Sequence, residues 1–129
     1  MHISLLEDNP AIIDWLTFAL QMEGHAVSTF KDGSSLLKTL FNDTQVIYPL
    51  AYDLLICDVY LPDSPSGKEV ITYIHEAIPP DKLPIIIISG TGLSEIEHLR
   101  HTFPAYVVLR KPFSMKELAQ QIKNLPRTG

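Results

Sequence analysis

The sequence predicts an α/β domain in which five helices flank a doubly wound, five-stranded parallel sheet. Five short apolar runs alternate along the chain with five longer segments whose apolar residues recur at helical spacing. The short runs are continuously apolar, as expected of strands that are buried on both faces of a parallel sheet. Because right-handed crossovers join consecutive parallel strands, this alternation places helices on both faces of the sheet.

The predicted strands are short and rich in β-branched residues and leucine. They are Ile3 to Leu6, Ala26 to Phe30, Leu54 to Cys57, Ile85 to Ile88 and Tyr106 to Leu109. Strands of this composition favour the buried, pleated surface of a sheet. We expect the third strand, which Asp58 follows, to be the central strand of the sheet.

The helix starts carry capping signals as well as periodicity. Asn9 followed by Pro10 supplies a cap and a proline at the first helical position, which predicts the start of the first helix. Three Ser-x-x-Glu pairs have the spacing of a capping box and predict the starts of the third, fourth and fifth helices. These pairs are Ser66 with Glu69, Ser94 with Glu97, and Ser114 with Glu117.

Composition and charge narrow the class of protein. The 129 residues fit one domain, and the 15 acidic against 10 basic residues give a net charge of −5. This charge argues against direct binding to nucleic acid or to an anionic membrane surface. No apolar run approaches the roughly 18 residues of a membrane span, and the amino terminus does not resemble a signal peptide. The single cysteine, Cys57, cannot form an internal disulfide, which favours a reducing, cytoplasmic compartment.

One connection is longer than its place in the pattern requires. The segment from Asn42 to Tyr52 joins the second helix to the third strand and contains several apolar residues. Two interpretations remain open for it: a surface excursion that packs back on the domain, or a contact with a partner. We favour the first.

Polar side chains follow four of the predicted strands, at the point where each strand ends. They are Glu7 and Asp8 after the first strand, Asp58 after the third, Ser89 after the fourth and Lys111 after the fifth. In a doubly wound sheet, ligands bind beyond the carboxyl ends of the strands. We therefore expect these five residues to converge at one edge of the sheet.

This group of side chains has a specific chemical capacity. Three neighbouring carboxylates repel one another unless a proton or a cation compensates their charge, and an all-oxygen ligand set favours Mg²⁺. A lysine and a hydroxyl beside that ion would neutralise and bind the oxygens of a phosphoryl group. Asp58 is then a candidate nucleophile that forms an acyl phosphate. Each residue alone could be a cap, a turn or a strand end, but their convergence favours a functional site.

The same motifs, in order and spacing, resemble the receiver (CheY-like) domain of two-component response regulators, which has a flavodoxin-like fold. The matching segments are Glu7-Asp8, Asp58-Val59-Tyr60-Leu61-Pro62, Ser89-Gly90 and Lys111-Pro112-Phe113. The resemblance covers residues 1–125 and leaves 126–129 as a tail or the start of a linker. One receiver would fill this length, so we expect either a protein that acts by docking to a partner or part of a longer regulator.

The resemblance implies a role for each site residue. Asp58 would accept a phosphoryl group from a sensor histidine kinase or a histidine phosphotransfer protein. Glu7, Asp8, Asp58 and the backbone carbonyl of Tyr60 would hold Mg²⁺. The hydroxyl of Ser89 and the ammonium of Lys111 would contact the phosphoryl group. Such a domain is not an ordinary enzyme, although it assists its own phosphorylation and dephosphorylation.

The resemblance also implies an output surface, formed by the fourth helix, the fifth strand and the fifth helix. This surface would change on phosphorylation and contact a partner or a second copy of the chain. The Ser89 hydroxyl would begin this change by turning toward the phosphoryl group. The aromatic residue usually found three positions before the strand-five lysine is replaced by Val108, and Tyr106 lies two residues earlier. We interpret Tyr106 as a core or edge aromatic, so the usual aromatic switch is either absent or displaced.

Two further positions are candidates for tuning the lifetime of the phosphoryl group. Tyr60 and Thr91 each lie two residues beyond a predicted site residue, Asp58 and Ser89 respectively. Our hypothesis is that the bulky Tyr60 partly screens the acyl phosphate from water.

Three other functions are compatible with the fold class but fit these residues less well. A receiver-like scaffold that is never phosphorylated is the strongest alternative, although it would not need the complete set of site residues. A phosphohydrolase of the haloacid dehalogenase type needs a second acid two residues after its nucleophile, where this chain has Tyr60. A flavodoxin-type flavin site needs a phosphate-binding first loop, which the acids Glu7 and Asp8 would oppose.

Overall fold

A computed structural model describes residues 1–125, so the predicted tail at 126–129 lies outside the described residues. The strands are β1 (His2–Leu6), β2 (Ala26–Phe30), β3 (Phe41–Asn42), β4 (Gln45–Val46), β5 (Leu54–Asp58), β6 (Ile85–Ser89) and β7 (Val107–Arg110). The helices are α1 (Pro10–Met22), α2 (Gly33–Leu40), α3 (Gly67–Ala77), α4 (Leu93–Thr102) and α5 (Met115–Lys123).

The main sheet has five parallel strands in the order β2-β1-β5-β6-β7. The predicted fold class is therefore confirmed, and the five predicted strands correspond to these five. From β1 the chain first moves outward to β2 and then returns to β5 on the other side of β1. The strand order reverses between β1 and β5, which is where a doubly wound sheet binds its ligands.

The core consists of two apolar layers, one on each face of the sheet. Side chains of α2, α3 and α4 pack on one face, and side chains of α1 and α5 pack on the other. Strand β6 supplies both layers, because Ile85 and Ile87 point to one and Ile86 and Ile88 to the other. Every residue of β5 and β6 is buried, which explains why these strands are apolar without alternation.

The predicted caps of α1 and α3 are confirmed. The Asn9 side chain accepts hydrogen bonds from the amides at the start of α1, and Pro10 is the first residue of that helix. At α3, the Ser66 hydroxyl accepts from the Glu69 amide, and the Glu69 carboxylate accepts from the Ser66 amide. Both helices therefore begin where the sequence predicts.

The two remaining capping predictions have different outcomes. Ser114 caps α5 by accepting a hydrogen bond of 3.0 Å from the Glu117 amide. The predicted cap at Ser94 is wrong, because the N-cap of α4 is the extended residue Gly92, two residues earlier, and the helix begins at Leu93. Ser94 therefore lies inside the helix, and Gly92 offers no side chain to the free amides.

The long connection after α2 forms a small hairpin of β3 and β4. Asp43 adopts a positive φ of 56° at its turn, a conformation that Asp tolerates better than most residues. Val46 and Leu50 then pack against the core, and Tyr52 is buried. The segment therefore packs back on the domain, as the favoured interpretation predicts.

Within residues 1–125, none of the helices is long and apolar enough to cross a membrane. Cys57 is a buried free thiol on β5, and burial raises its pKa above the ordinary value. The thiol therefore stays protonated and unreactive, as a structural cysteine should.

Candidate functional site

The three predicted carboxylates converge at the switch point of the sheet. Asp58 is the last residue of β5, and Glu7 and Asp8 directly follow β1. Since β1 and β5 are paired, with Leu6 opposite Cys57, the strands deliver these acids side by side. One carboxylate oxygen from each of the three lies within 4.8 Å of the others.

Lys111 brings a positive charge to this cluster from the edge of the sheet. It follows β7, and its backbone amide donates to the Ser89 carbonyl over 2.7 Å. Its Nζ donates to Glu7 Oε1 over 2.8 Å and to Asp58 Oδ2 over 3.1 Å. The side chain therefore reaches from β7 past the end of β6 and compensates two carboxylates at once.

Burial controls the electrostatics of the cluster. Glu7 is completely buried, and this burial, reinforced by its hydrogen bond and repulsion with Asp58, raises the pKa of Glu7 to about 7. Burial also opposes the charge on Lys111, but the hydrogen bonds and charges of Glu7 and Asp58 outweigh it and raise the pKa of Lys111. The site therefore holds a charged lysine beside an acid that ionises near neutral pH.

Backbone amides orient two of the carboxylates. The Tyr60 N–H donates to Asp58 Oδ1 over 2.9 Å, so both oxygens of Asp58 have a donor. The Asp8 N–H donates to Glu7 Oε2 over 3.1 Å, while the Asp8 side chain is exposed. The cluster thus has a buried part, formed by Glu7 and Asp58, and a solvent-exposed side at Asp8.

This donor set fits a hard divalent cation. All three side chains offer oxygen, and the exposed Asp8 leaves a side through which a hydrated ion can enter. Mg²⁺ binds in this manner, through one or two carboxylates while it keeps part of its water. A role for the Tyr60 carbonyl as a further ligand stays a prediction.

Ser89 lies next to the cluster, but its hydroxyl already has a partner. It is completely buried at the end of β6, and its Oγ lies 2.8 Å from Thr91 Oγ1 and accepts from the Thr91 amide over 3.3 Å. The Thr91 carbonyl in turn accepts a hydrogen bond of 3.1 Å from Arg110 Nε. These contacts hold the loop between β6 and α4 in one arrangement.

The two other candidate switch residues belong to the core. Tyr106 and Val108 are both buried in the layer beneath α3 and α4. Tyr106 precedes β7, at the opposite end of that strand from Lys111, and its hydroxyl lies 3.0 Å from His75 Nδ1 on α3. The interpretation of Tyr106 as a packed aromatic agrees with these contacts, and a switching role for either residue stays a prediction.

A glycine permits the close approach of α3 to the end of β5. A Cβ on Gly67 would lie 2.1 Å from the Asp58 carbonyl oxygen and 2.4 Å from the Val59 Cα. Neither atom can move without displacing the end of β5. Gly67 therefore helps to place Asp58.

Sequence reasoning missed two residues near the site. The Tyr60 hydroxyl donates to Glu95 Oε1 in the first turn of α4, and Lys68 Nζ of α3 donates to the same oxygen over 3.1 Å. Lys68 and Glu95 are 27 positions apart on different helices. No local pattern pairs such residues, so only the packing of α3 beside α4 reveals them.

Comparisons with known proteins agree with the fold. A sequence profile of the family described as "Response regulator receiver domain" matches residues 3–123. The chain therefore belongs to the receiver domain family of two-component response regulators.

Relatives within this family include full-length regulators. The chain is 30% identical over 123 residues to the transcriptional regulatory protein CreB of Escherichia coli, covering 95% of this chain and 49% of the relative. It is 27% identical over 128 residues to the probable transcriptional regulatory protein TcrX of Mycobacterium tuberculosis, covering 98% and 50%. The chain thus spans about half the length of these curated relatives.

Solved structures of response regulators share the fold. TrrA of Thermotoga maritima, crystallised in complex with Mg²⁺ and BeF, superposes with a TM-score of 0.75 at 28% identity, covering 97% of this chain and 98% of that one. NtrX of Brucella abortus superposes with a TM-score of 0.78 at 27% identity, covering 96% of this chain and 26% of that one.

Proposed function

We propose that this chain is a phosphoacceptor in which Asp58 receives a phosphoryl group in the presence of Mg²⁺. One observation carries the proposal: Lys111 binds both Asp58 and Glu7, and these two carboxylates lie with Asp8 within 4.8 Å of one another. Such concentrated negative charge destabilises a fold unless a proton or a cation compensates it. The cluster is also placed at the switch point, where the fold binds its ligands.

The transfer requires little more than positioning and charge compensation. One oxygen of Asp58 attacks the phosphorus of a phosphohistidine, the new P–O bond forms as the P–N bond breaks, and the leaving imidazole nitrogen takes a proton. Glu7, Asp8, Asp58 and the Tyr60 carbonyl would hold Mg²⁺, which supplies positive charge to the phosphoryl oxygens. Lys111 would exchange its present contacts for one of those oxygens, forming a charge-assisted hydrogen bond.

Ser89 would transmit the change to the surface. To contact a phosphoryl oxygen its hydroxyl must leave Thr91, with which it now forms a 2.8 Å contact. The loop before α4 would follow, because Thr91 belongs to it. We propose that this movement alters the face of α4, β7 and α5 for a target protein or a second copy of the chain. That face includes the edge strand β7 and the exposed Leu93.

The donor we propose is a sensor histidine kinase or a histidine phosphotransfer protein, as is usual for receiver domains. A surface cavity of about 540 Å³ adjoins Lys111 and is lined by Ile12, Trp15 and Phe113, among others. This cavity offers a donor protein an apolar contact beside the acceptor. The net charge of −5 and the free thiol of Cys57 favour a cytoplasmic protein with no direct contact to nucleic acid.

Tyr60 would lengthen the life of the acyl phosphate by limiting the approach of water. Its side chain is 44% exposed and lies two residues from the acceptor. Tyr60→Ala is then expected to speed dephosphorylation. An unchanged rate would show that the ring has no screening role.

Incubation with Mg²⁺ and acetyl phosphate, followed by intact mass measurement, tests the proposal. We expect one phosphate adduct on the unaltered protein and on Asp63→Asn, a control that removes an exposed acid in the loop just after β5. We expect none on Asp58→Asn. An adduct that persists in Asp58→Asn would show that a residue other than Asp58 is the acceptor. No adduct on any protein, together with no Mg²⁺ binding, would favour an unphosphorylated scaffold.

A further inference from the structure

The loop that follows Asp58, residues 59–66, is called the acceptor loop. Three polar side chains join this loop to α4, and we name them the Tyr60 clasp: Tyr60, Lys68 and Glu95. Glu95 Oε1 accepts from the Tyr60 hydroxyl and, over 3.1 Å, from Lys68 Nζ. Lys68 Nζ also lies 5.5 Å from the centroid of the Tyr60 ring, within cation–π range. Each member of the clasp therefore contacts both of the others.

The clasp begins at the acceptor itself. The backbone amide of Tyr60 donates to Asp58 Oδ1 over 2.9 Å, while its side-chain hydroxyl binds Glu95. One residue thus contacts the phosphoacceptor with its main chain and α4 with its side chain. Because β5 and β6 are neighbouring strands, the side chain crosses from the loop after β5 to the helix after β6. These are the two strands that carry Asp58 and Ser89.

Helix α4 has few other attachments. Its N-cap is Gly92, which makes no side-chain cap, and its buried residues are Ile96 and Leu99. Within residues 1–125, the side-chain hydrogen bonds from α4 to other elements all involve Glu95. Its other ion pair, Glu97 with Arg100, lies within the helix. The clasp is therefore the main polar tie between α4 and the acceptor loop.

The charges in the clasp support one another. The hydrogen bond to Glu95 raises the pKa of Tyr60 and the pKa of Lys68, and the same bonds lower the pKa of Glu95. At neutral pH the tyrosine is therefore protonated and able to donate, the lysine is cationic and the glutamate is anionic. All three groups are in the state that their contacts need.

We propose that Glu95 is a positioning residue that sets the lifetime of the phosphoryl group by holding the Tyr60 side chain across the acceptor loop. This inference rests on the proposed function of Asp58 and adds a residue outside the acceptor cluster. With the clasp closed, Tyr60 stays between the acceptor and water, and the first turn of α4 stays next to the loop. With the clasp broken, the ring swings freely and α4 loses its tie.

The decay of the phosphate adduct, followed by intact mass after acetyl phosphate is removed, tests this proposal. We expect Tyr60→Phe and Glu95→Ala each to speed decay by roughly three- to tenfold, the scale of one hydrogen bond. The double variant should decay no faster than the faster single variant, because both break the same contact. Glu95→Gln should restore most of the lifetime, because its amide oxygen still accepts from Tyr60.

Glu97→Ala is the matched control, since it removes the same charge from the same helix without touching the clasp. It should decay like the unaltered protein. Single variants that decay at the unaltered rate, or effects that multiply in the double variant, would overturn the role of Glu95 while leaving Asp58 as acceptor.

A second measurement separates this proposal from the proposed function. Amide hydrogen exchange of α4 in the unphosphorylated protein should become faster in Glu95→Ala but not in Glu97→Ala. If the unaltered protein takes up no phosphate, the proposed function fails and the lifetime role fails with it. The exchange rates then still decide whether the clasp holds α4, and unchanged rates in Glu95→Ala would show that it does not.

Discussion

The Lys111 ammonium lies 3.1 Å from Asp58 Oδ2 and so connects the edge strand of the sheet to its central strand. The two residues are 53 positions apart in the sequence. Lys111 side-chain exposure is 20% and that of Asp58 is 8%, so the pair is screened only in part by water. The contact compensates the negative charge of Asp58.

Replacing Lys111 by methionine should destabilise the protein, because Asp58 and Glu7 would then repel each other without a compensating cation. We expect a loss of about 2–4 kcal/mol in the free energy of unfolding at pH 8, measured by urea denaturation without divalent metal. Added Mg²⁺ should restore part of this loss. Lys116→Met, on the exposed side of α5, should change stability by less than about 0.5 kcal/mol. A Lys111→Met protein as stable as the unaltered one would mean that the cluster needs no cation.

Glu7 should make stability depend on pH in a defined direction. Its pKa in the folded protein is about 7 against an ordinary value of 4.5, so between these values the folded state binds more protons than the unfolded state. The associated stability is complete below pH 4.5 and is lost as the pH rises through 7.

Glu7→Gln should therefore be more stable than the unaltered protein at pH 8, by on the order of 1–2 kcal/mol, and nearly equal to it at pH 5. Urea denaturation at both pH values, again without divalent metal, checks this. Glu76→Gln, an exposed change on α3, should differ from the unaltered protein by less than about 0.5 kcal/mol at either pH. A gain for Glu7→Gln of equal size at both pH values would contradict the assigned burial effect.

Two glycine substitutions should differ sharply. Gly67→Ala would place a methyl group 2.1 Å from the Asp58 carbonyl oxygen, so we expect a loss of roughly 2–4 kcal/mol in the free energy of unfolding. A Cβ on Gly92 would meet no atom within 4 Å, so Gly92→Ala should cost no more than about 1 kcal/mol, the scale of alanine at an N-cap. Thermal or urea denaturation compares them. Equal losses would show that the close approach of α3 to β5 is not needed.

The hydroxyl contact between Ser89 and Thr91 should compete with binding of a phosphoryl group. Beryllofluoride with Mg²⁺, titrated by calorimetry, serves as the probe. Ser89→Ala should weaken binding roughly tenfold through the loss of one charge-assisted hydrogen bond. Thr91→Val should strengthen it, because the Ser89 hydroxyl is then free to turn. If Thr91→Val also strengthens binding in the Ser89→Ala background, its effect does not pass through Ser89.

The strand ends show how much of the site is predictable from sequence. Continuous apolar runs identify the buried strands, and parallel pairing requires that their carboxyl ends meet at one edge. The convergence of Asp58, Glu7 and Asp8 follows from these two facts. The start of α4 was predicted two residues too late, because the Ser-x-x-Glu spacing of Ser94 does not reveal that the backbone has already turned helical at Leu93.

The sequence by itself therefore determined the alternation of the five sheet strands with the five helices, the fold class and the chemical types gathered at the switch point. Tertiary structure alone decided that Glu7 is fully buried, that Lys111 reaches Asp58, and that Glu95 joins Tyr60 to Lys68. The physical reason is how far apart the interacting residues lie in the sequence. Periodicity, capping and strand ends are properties of neighbouring residues, whereas these contacts depend on how separate loops and helices pack against one another.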